Sequence, residues 1–527
     1  MANIVKQPCD EGVIHSKSCT SPCQKNARVW VLVATILGSS MAFISSTVVN
    51  VALPTLQEQL GATVAGAQWV VESYALFVAA LMLVGGSLGD RLGRRRIYAL
   101  GIGIFALASV WCGLAPDITQ LIVARGVQGV GGALLIPGSL AIISAAFTSE
   151  QRGGAIGLWS GFTAITSAVG PVLGGWLIEN FSWRWVFWMN IPLALIVLAV
   201  SYWRVPESRD EEATARLDWQ GTLLAVLGLG GVVFGLLESA SLGLSHPVVL
   251  GAIAFGVIVL AGFVFVEARS ASPIMPLNLF RSRTFSGANL LTLLLYAALG
   301  GVLFFLPFNL IQVQGYSPTA AGAALVPFPI IMFFLSRWSG GLVSHYGAKL
   351  PLIVGPTVAA AGFGLMALPG VGGSYWTTFF PAVVVLGLGM AVCVAPLTTA
   401  VMDAVMVRYS GVASGINNAV SRIASLLAIA LLGIVVLSTF NGSLDQRLAP
   451  LNLSSEAQQF LNEQRINLAA AAVPPGSSDE VAATVREAIA WAYVDGFRVV
   501  MFIAVGLALL SAIVAATMIK SQKKQRA

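Results

Sequence analysis

The sequence predicts an all-α polytopic membrane protein with fourteen transmembrane helices, arranged as two six-helix bundles plus two additional central spans. Three observations predict it. Of 527 residues, 57% are hydrophobic and only 10% charged, whereas a soluble domain carries about 25% charged residues. Apolar stretches of about 20 residues, each long enough to cross a ~30 Å hydrocarbon core, recur along the whole length. Lys and Arg gather in alternate loops, such as Arg91, Arg94, Arg95 and Arg96, while Arg184 is the one cation in the short loops between them. That asymmetry places both termini in the cytoplasm. The net charge of +6 is therefore a topology signal, and no nucleic-acid partner is expected.

Residues 1–27 form a polar cytoplasmic tail that contains Cys9, His15, Cys19 and Cys23. The tail could hold a metal, but H-x-x-x-C-x-x-x-C is not a recognised zinc spacing. We read it as disordered and reduced, with no metal and no cofactor. The first apolar run, "VWVLVATILGSSMAFISSTVVNVAL", is too long for the core of a secretory signal. It opens the N-terminal bundle, 28–204, with spans at 29–53, 65–87, 97–115, 119–146, 154–178 and 184–203. The central unit, 205–283, supplies spans at 219–238 and 247–266 with flanking cytoplasmic loops. The C-terminal bundle, 284–519, follows with spans at 286–311, 319–338, 351–369, 376–403, 411–437 and 496–519. A basic tail, 520–527, ends the chain. Cys112 and Cys393 fall within spans and read as small core residues.

The segment 439–495 is the longest polar stretch and is expected outside. Ser-rich capping signals in "SSEAQQFLNEQ" and "SSDEVAATVREAIAWA" predict two short helices there, serving as a structural cap. A faint repeat relates the bundles. "GGSLGDRLGRR" follows the second span and "GGLVSHYGAK" the tenth, with Gly86–Gly93 and Gly340–Gly347 at equal spacing. Duplicated six-span halves are a transporter architecture.

Several motifs then converge. "GGSLGDRLGRRR" (85–96), "LIVARGVQGVGGA" (121–133) and "GPVLGG" (170–175) resemble the loop, span 4 and antiporter motifs of the major facilitator superfamily. "STVVNVALP" (46–54), "WRWVFWMNIP" (183–192) and "PIMPLNLFRSRTF" (273–285) are similar to its fourteen-span drug:proton antiporter branch. The resemblance implies the major facilitator fold and alternating-access export of small molecules against protons. It implies a monomer in the lipid bilayer and no enzymatic chemistry. No G-x-x-x-x-G-K-[ST] occurs, and "GVGGA" lies inside an apolar helix, so no nucleotide motor is expected.

Physical roles follow for the motif residues. Gly86 and Gly93 permit a tight connection between spans. Asp90 can pair with Arg91 or Arg94, or with a helix N-terminus, to form a cytoplasmic gate. Gly170, Gly174 and Gly175 are expected near one face of span 5, with Pro171 bending it. Thr166 stands where the family pattern has a further glycine.

Proton coupling poses the sharpest question. The antiporter branch usually carries aspartate in span 1 where this chain has Ser45, and a serine hydroxyl does not titrate in the working pH range. Glu72, in "WVVESYALF", is the only acidic or basic residue between Glu58 and Asp90. Counted from the turn at 58–59, positions 45 and 72 lie at about the same depth, and Arg125 enters span 4 at a similar level. A charge in mid-span costs about 2.5–3.5 kcal/mol on insertion scales, so it faces a cavity or a partner. Glu72 with Arg125 is the expected proton-coupling pair, and a static ion pair is the alternative. Arg422 has no deep acidic partner in sequence. Together with Ser45, Asn50, Trp159, Phe162, Trp188, Tyr296 and Phe304 it is a candidate lining residue of the substrate cavity. The function expected is proton-driven export of amphipathic small molecules across the cytoplasmic membrane. Export of one native metabolite or lipid, or a non-transporting sensor, are the alternatives.

Overall fold

The computed structural model describes residues 25–147, 149–208, 218–270, 273, 275–405, 410–451 and 453–520. Some helical side chains, that of Asp90 among them, also lie outside the described set. The described residues are almost wholly helical, with no strand among them. The first bundle comprises α1 (Lys25–Gln59), α2 (Val64–Leu92), α3 (Arg94–Leu114), α4 (Ile118–Ala146), α5 (Ser149–Asn180), the single turn α6 (Trp185–Trp188) and α7 (Asn190–Arg204). The central pair is α8 (Trp219–Leu242) and α9 (Pro247–Arg269). The second bundle contains α10 (Arg283–Phe308), α11 (Pro318–Ala324), α12 (Pro327–Tyr346), α13 (Lys349–Met366), α14 (Phe379–Asp403), α15 (Ser410–Leu448), α16 (Ser455–Gln464) and α17 (Asp479–Met518).

Thirteen stretches among the described residues are apolar and long enough to cross a membrane. The remaining predicted span, 154–178, falls within the 32-residue α5, which at 1.5 Å per residue also exceeds a hydrocarbon core. Helix ends carry the expected signals. Thr63 caps α2 by accepting from the Gly66 amide, and Asp117 caps α4 by accepting from Gln120. Gly93, at φ +111°, breaks the chain between α2 and α3, and Gly347, at φ +71°, does so after α12. Both repeat copies therefore use their last glycine for a backbone that side chains disfavour.

One expectation fails. The stretch from Ser478 onward is no separate short helix but the start of the 40-residue α17, with Ser478 capping it. No proline or helix-breaking pair intervenes before the apolar span, so the hydrogen-bond ladder runs on through both. The first capping signal holds: Ser454 accepts from Ala457 at the start of α16.

Glycines set the internal packing of the first bundle. A Cβ on Gly129 would lie 2.6 Å from the Tyr74 carbonyl oxygen, and one on Gly131 2.6 Å from the Phe105 nitrogen. The backbones of α2, α3 and α4 thus approach as closely as dispersion packing between membrane helices requires. The central pair does not form a unit apart. α8 packs against both α2 and α15, one helix from each bundle, and α9 packs on α8. Only 11% of the apolar window of α9 is buried, so it is the peripheral member.

Candidate functional site: the polar interior between the bundles

We call the end of the molecule bearing 449–478 the cap end and the opposite end, with the α2–α3 turn, the motif end. Seven residues from the cap-end start of α4, Arg125 is 1% exposed. Its Nε donates to the Val70 carbonyl at 3.0 Å, and its Nη1 donates to Gln128 Oε1 at 2.5 Å and to Ser45 Oγ at 3.5 Å. The guanidinium also sits 4.3 Å from the centroid of the Tyr74 ring. Gln128 passes the chain on, donating to Ser109 Oγ at 2.8 Å. Arg125 is thus satisfied by neutral acceptors and an aromatic face. A second chain links three helices: Trp159 Nε1 donates to Ser39 Oγ at 3.0 Å, and Ser39 donates to Ser139 Oγ at 2.8 Å.

Glu72 is elsewhere. It is 0% exposed, and neither carboxyl oxygen has a hydrogen-bond partner among the described residues. Its direction follows from its neighbours one turn away, which share its face. Gln68 donates to the Ile429 carbonyl of α15 at 2.9 Å. Leu76 packs with Leu229, Val233 and Leu237 of α8 and with Leu426 and Ala430 of α15. Trp69 meets Phe234 of α8, ring centroids 6.2 Å apart. Glu72 therefore lies at the junction of α2, α8 and α15, whereas Tyr74, two residues on, faces Arg125 and α4. The structure brings Ser45 and Arg125 together, as expected, but does not pair either with Glu72. Depth matches; direction does not.

In the second bundle, Asn417 of α15 donates to Thr292 Oγ1 at 2.7 Å and Asn289 Oδ1 at 3.2 Å, and Ser425 donates to the Tyr296 carbonyl at 3.2 Å. These bonds fasten α15 to α10. Arg422 lies on another face of α15, two and three turns from Ile429 and Gly433, which meet Gln68 of α2. It is half-buried. No hydrogen bond or ion pair joins it to a described residue.

Hydrogen bonds between the bundles gather at the cap end. Gln57 of α1, 3% exposed, donates to the Asn467 carbonyl at 3.1 Å and accepts from Gln312 Nε2 at 3.2 Å. Thr319 donates to the Glu179 carboxylate, and this contact holds the exposed Glu179 below its ordinary range. A Cβ on Gly175 would lie 2.7 Å from the Thr319 Cα, and one on Gly322 2.5 Å from the Pro171 carbonyl carbon. The short 3₁₀ segment Arg465–Ala470 wedges between α1, α2 and α15. Leu468 is 3% exposed and is the one non-glycine residue with positive φ (+52°) among those described. The Arg465–Asp445 pair ties this segment to α15 of the second bundle, and Arg447–Asp495 at 2.8 Å joins α15 to α17 beside it.

At the motif end, Gly93 adjoins a contact that was not anticipated from sequence. The Arg95 amide donates to Glu207 Oε1 at 3.0 Å, and Arg95 and Arg96 lie 3.7 and 3.6 Å from Oε2. The Arg94 amide donates to the Ser208 carbonyl at 2.8 Å. Glu207 thus occupies the N-terminus of α3, where amides and arginines both favour a carboxylate. The Asp90 side chain lies outside the described residues, as do Cys9, Cys19 and Cys23. Arg91 is exposed and Gly86 leaves room beside Pro137.

The motif in α5 has two faces. Gly170 and Gly174 take Thr47 and Val48 of α1, while Pro171 and Gly175 take α11 of the other bundle. Helical geometry gives the reason, since adjacent residues differ by about 100°. Of the remaining cavity candidates, Asn50 shares the α1 face of Gln57, and its buried Oδ1 lacks a partner among the described residues. Tyr296 is half-buried beside α15 and Phe162 is exposed. Phe304 is instead core, 1% exposed and 4.9 Å from Phe305 between ring centroids. Trp159 is tied up within the first bundle, and Trp188 packs where Gly113 of α3 has no side chain, near the cap end. Gln57, Gln68, Gln128 and Glu207 were not singled out from sequence. Gln68 and Gln128, as amides inside apolar runs, were the available signal.

The sequence profile of the Major Facilitator Superfamily matches residues 35–429. This chain belongs to that superfamily. Among its relatives is the multidrug resistance protein Stp of Mycobacterium tuberculosis, 35% identical over 79% of this chain and 77% of its own length. The tetracenomycin C resistance and export protein of Streptomyces glaucescens is 31% identical over 95% and 93%. The fold is shared with a bacterial homologue of the human lysosomal transporter Spinster in an inward-facing, occupied conformation. That likeness has a TM-score of 0.65 and 18% identity, over 94% and 97% of the two chains. As a superfamily member the chain is a multi-pass membrane transporter of small molecules rather than an enzyme, and it is built for the cytoplasmic membrane.

Proposed function

We propose that the protein is a proton-coupled antiporter that exports amphipathic small molecules across the cytoplasmic membrane as a monomer, with the motif end and both termini cytoplasmic. The drug-resistance and export relatives support the transport direction, and the arginine-rich α2–α3 turn supports the orientation. The observation that carries proton coupling is Glu72, wholly buried and without a hydrogen-bond partner among the described residues, where α2, α8 and α15 meet. A neutral carboxyl fits this junction. An ionised one would stand bare beside Leu76, Leu229, Val233 and Leu426, at the several-kcal/mol cost of an unpaired buried charge. The charge is accommodated only if α2 shifts against α15 and α8, so proton occupancy and the arrangement of the bundles are linked. The bundles are bonded to each other at the cap end, which leaves loading to the cytoplasmic motif end, as an exporter requires.

The test is Glu72→Gln in inverted membrane vesicles with an imposed pH gradient. The amide keeps the shape and cannot titrate. Uphill uptake should fall to background while thermal stability and substrate-binding affinity stay at wild-type levels, because no salt bridge to Arg125 is lost. A stable Glu72→Gln protein that still concentrates substrate overturns the assignment.

A further inference from the structure

Three acidic or basic side chains lie deep within the bundles among the described residues: Glu72, Arg125 and Arg422. Two are accounted for. Arg125 spends its donors on Val70, Gln128 and Ser45 and lays its plane on Tyr74. Glu72 is closed off from any cavity by α8 and α15. Arg422 alone is half-exposed, on the face of α15 that meets α2 further along, with five N–H donors and no acceptor among the described residues. A guanidinium at this depth must be met by water or by a ligand. On the same helix, Asn418, one turn away, is exposed with no hydrogen-bond partner for its side-chain amide among the described residues, and the adjacent Ser421 is half-buried. The charge is positive and its neighbours along α15 are an amide and a hydroxyl.

We propose that Arg422 is the anchor for an acidic group, a carboxylate or sulfonate, on the exported compound, so that the substrate class is amphipathic organic acids. The inference rests on the export reading above and adds the substrate chemistry to it. A planar fork of donors suits a carboxylate or sulfonate, which can take two parallel bonds. An anionic lipid headgroup presents similar chemistry, and the experiment separates the two.

The probes are 8-anilinonaphthalene-1-sulfonate and N-phenyl-1-naphthylamine, which share their rings and differ in the sulfonate. Binding is measured on purified protein in detergent, and uptake in vesicles of phosphatidylcholine with and without phosphatidylglycerol. The wild type should bind the sulfonate at least about tenfold more tightly than the neutral amine. Arg422→Gln should lose that preference and leave the neutral amine unchanged, and Arg422→Lys should keep part of it. The sulfonate, and not the amine, should protect Arg422 of the wild type from phenylglyoxal, read by peptide mass, which stands even if Arg422→Gln does not fold. Equal loss of both probes in a folded Arg422→Gln protein, or no sulfonate preference in the wild type, overturns the proposal. So does a sulfonate preference abolished by phosphatidylglycerol, which would make lipid the occupant. Gradient-driven uptake of the neutral amine by the wild type reports on export itself, so the export reading can stand while this one falls.

Discussion

Removing one side chain, Gln57→Ala, should open the cap end without unfolding either bundle. Gln57 belongs to the first bundle, yet both its hydrogen bonds reach the second: one to the Asn467 carbonyl and one from Gln312. It is 3% exposed, so water does not replace those bonds while the cap stays shut. A net hydrogen bond contributes about 0.5–1.5 kcal/mol, so the pair contributes roughly 1–3 kcal/mol to closure. Leu468, held at φ +52° in the same wedge, opposes closure, since a bulky residue there is strained by about 1–3 kcal/mol. The balance is therefore narrow, and loss of Gln57 should raise the open population about 5- to 150-fold. Asn50 reports on it, lying two turns deeper on the same face of α1. In a background lacking other cysteines, Asn50→Cys is labelled from outside by an impermeant maleimide, at a rate set by the open population when opening is fast. A labelling rate within twofold of the parent, in protein of unchanged thermal stability, would refute the cap-lock reasoning.

The antiporter motif and the α2–α3 turn yield two more expectations. Gly175→Ala drives a methyl into the α11 backbone and should raise the same labelling rate and slow export, because overpacking of about 1–3 kcal/mol falls on the contact between bundles. Gly174→Ala meets Val48 within the first bundle, so its cost should appear as a lower melting temperature instead, and equal labelling and melting in the two variants would remove the distinction. Glu207→Gln leaves Arg95 and Arg96 without a carboxylate at the N-terminus of α3. Because the site is part-exposed, the loss should be within about 1 kcal/mol of stability, with export slowed severalfold at matched membrane levels. Unchanged export would confine Glu207 to a topological role.

What was legible in the sequence, and what was not, divides along one physical line. Hydrocarbon demands long apolar helices, so span positions, the repeat glycines Gly93 and Gly347 and the cap at Ser454 could be read directly. Depth could be read too, because a helix advances evenly, and Ser45 does meet Arg125. Azimuth could not. A soluble helix shows its inner face by polar residues on the other side, but α2 is apolar all round because lipid and protein partners are equally greasy. Nothing in "WVVESYALF" says that Tyr74 turns to Arg125 while Glu72, some 200° around the helix, turns to α8. The same ambiguity put Gly174 and Gly175 on one face when they serve different bundles. It also hid the place of the two additional spans. α8 covers the junction where Glu72 lies, between helices of opposite bundles, so a twelve-span relative without α8 would present that carboxyl to lipid. The acid in α2 and the extra pair of spans therefore belong to one arrangement. An aspartate in span 1 needs no such cover, so the cover that α8 gives matters to this chain because its buried acid stands in α2 while span 1 has Ser45.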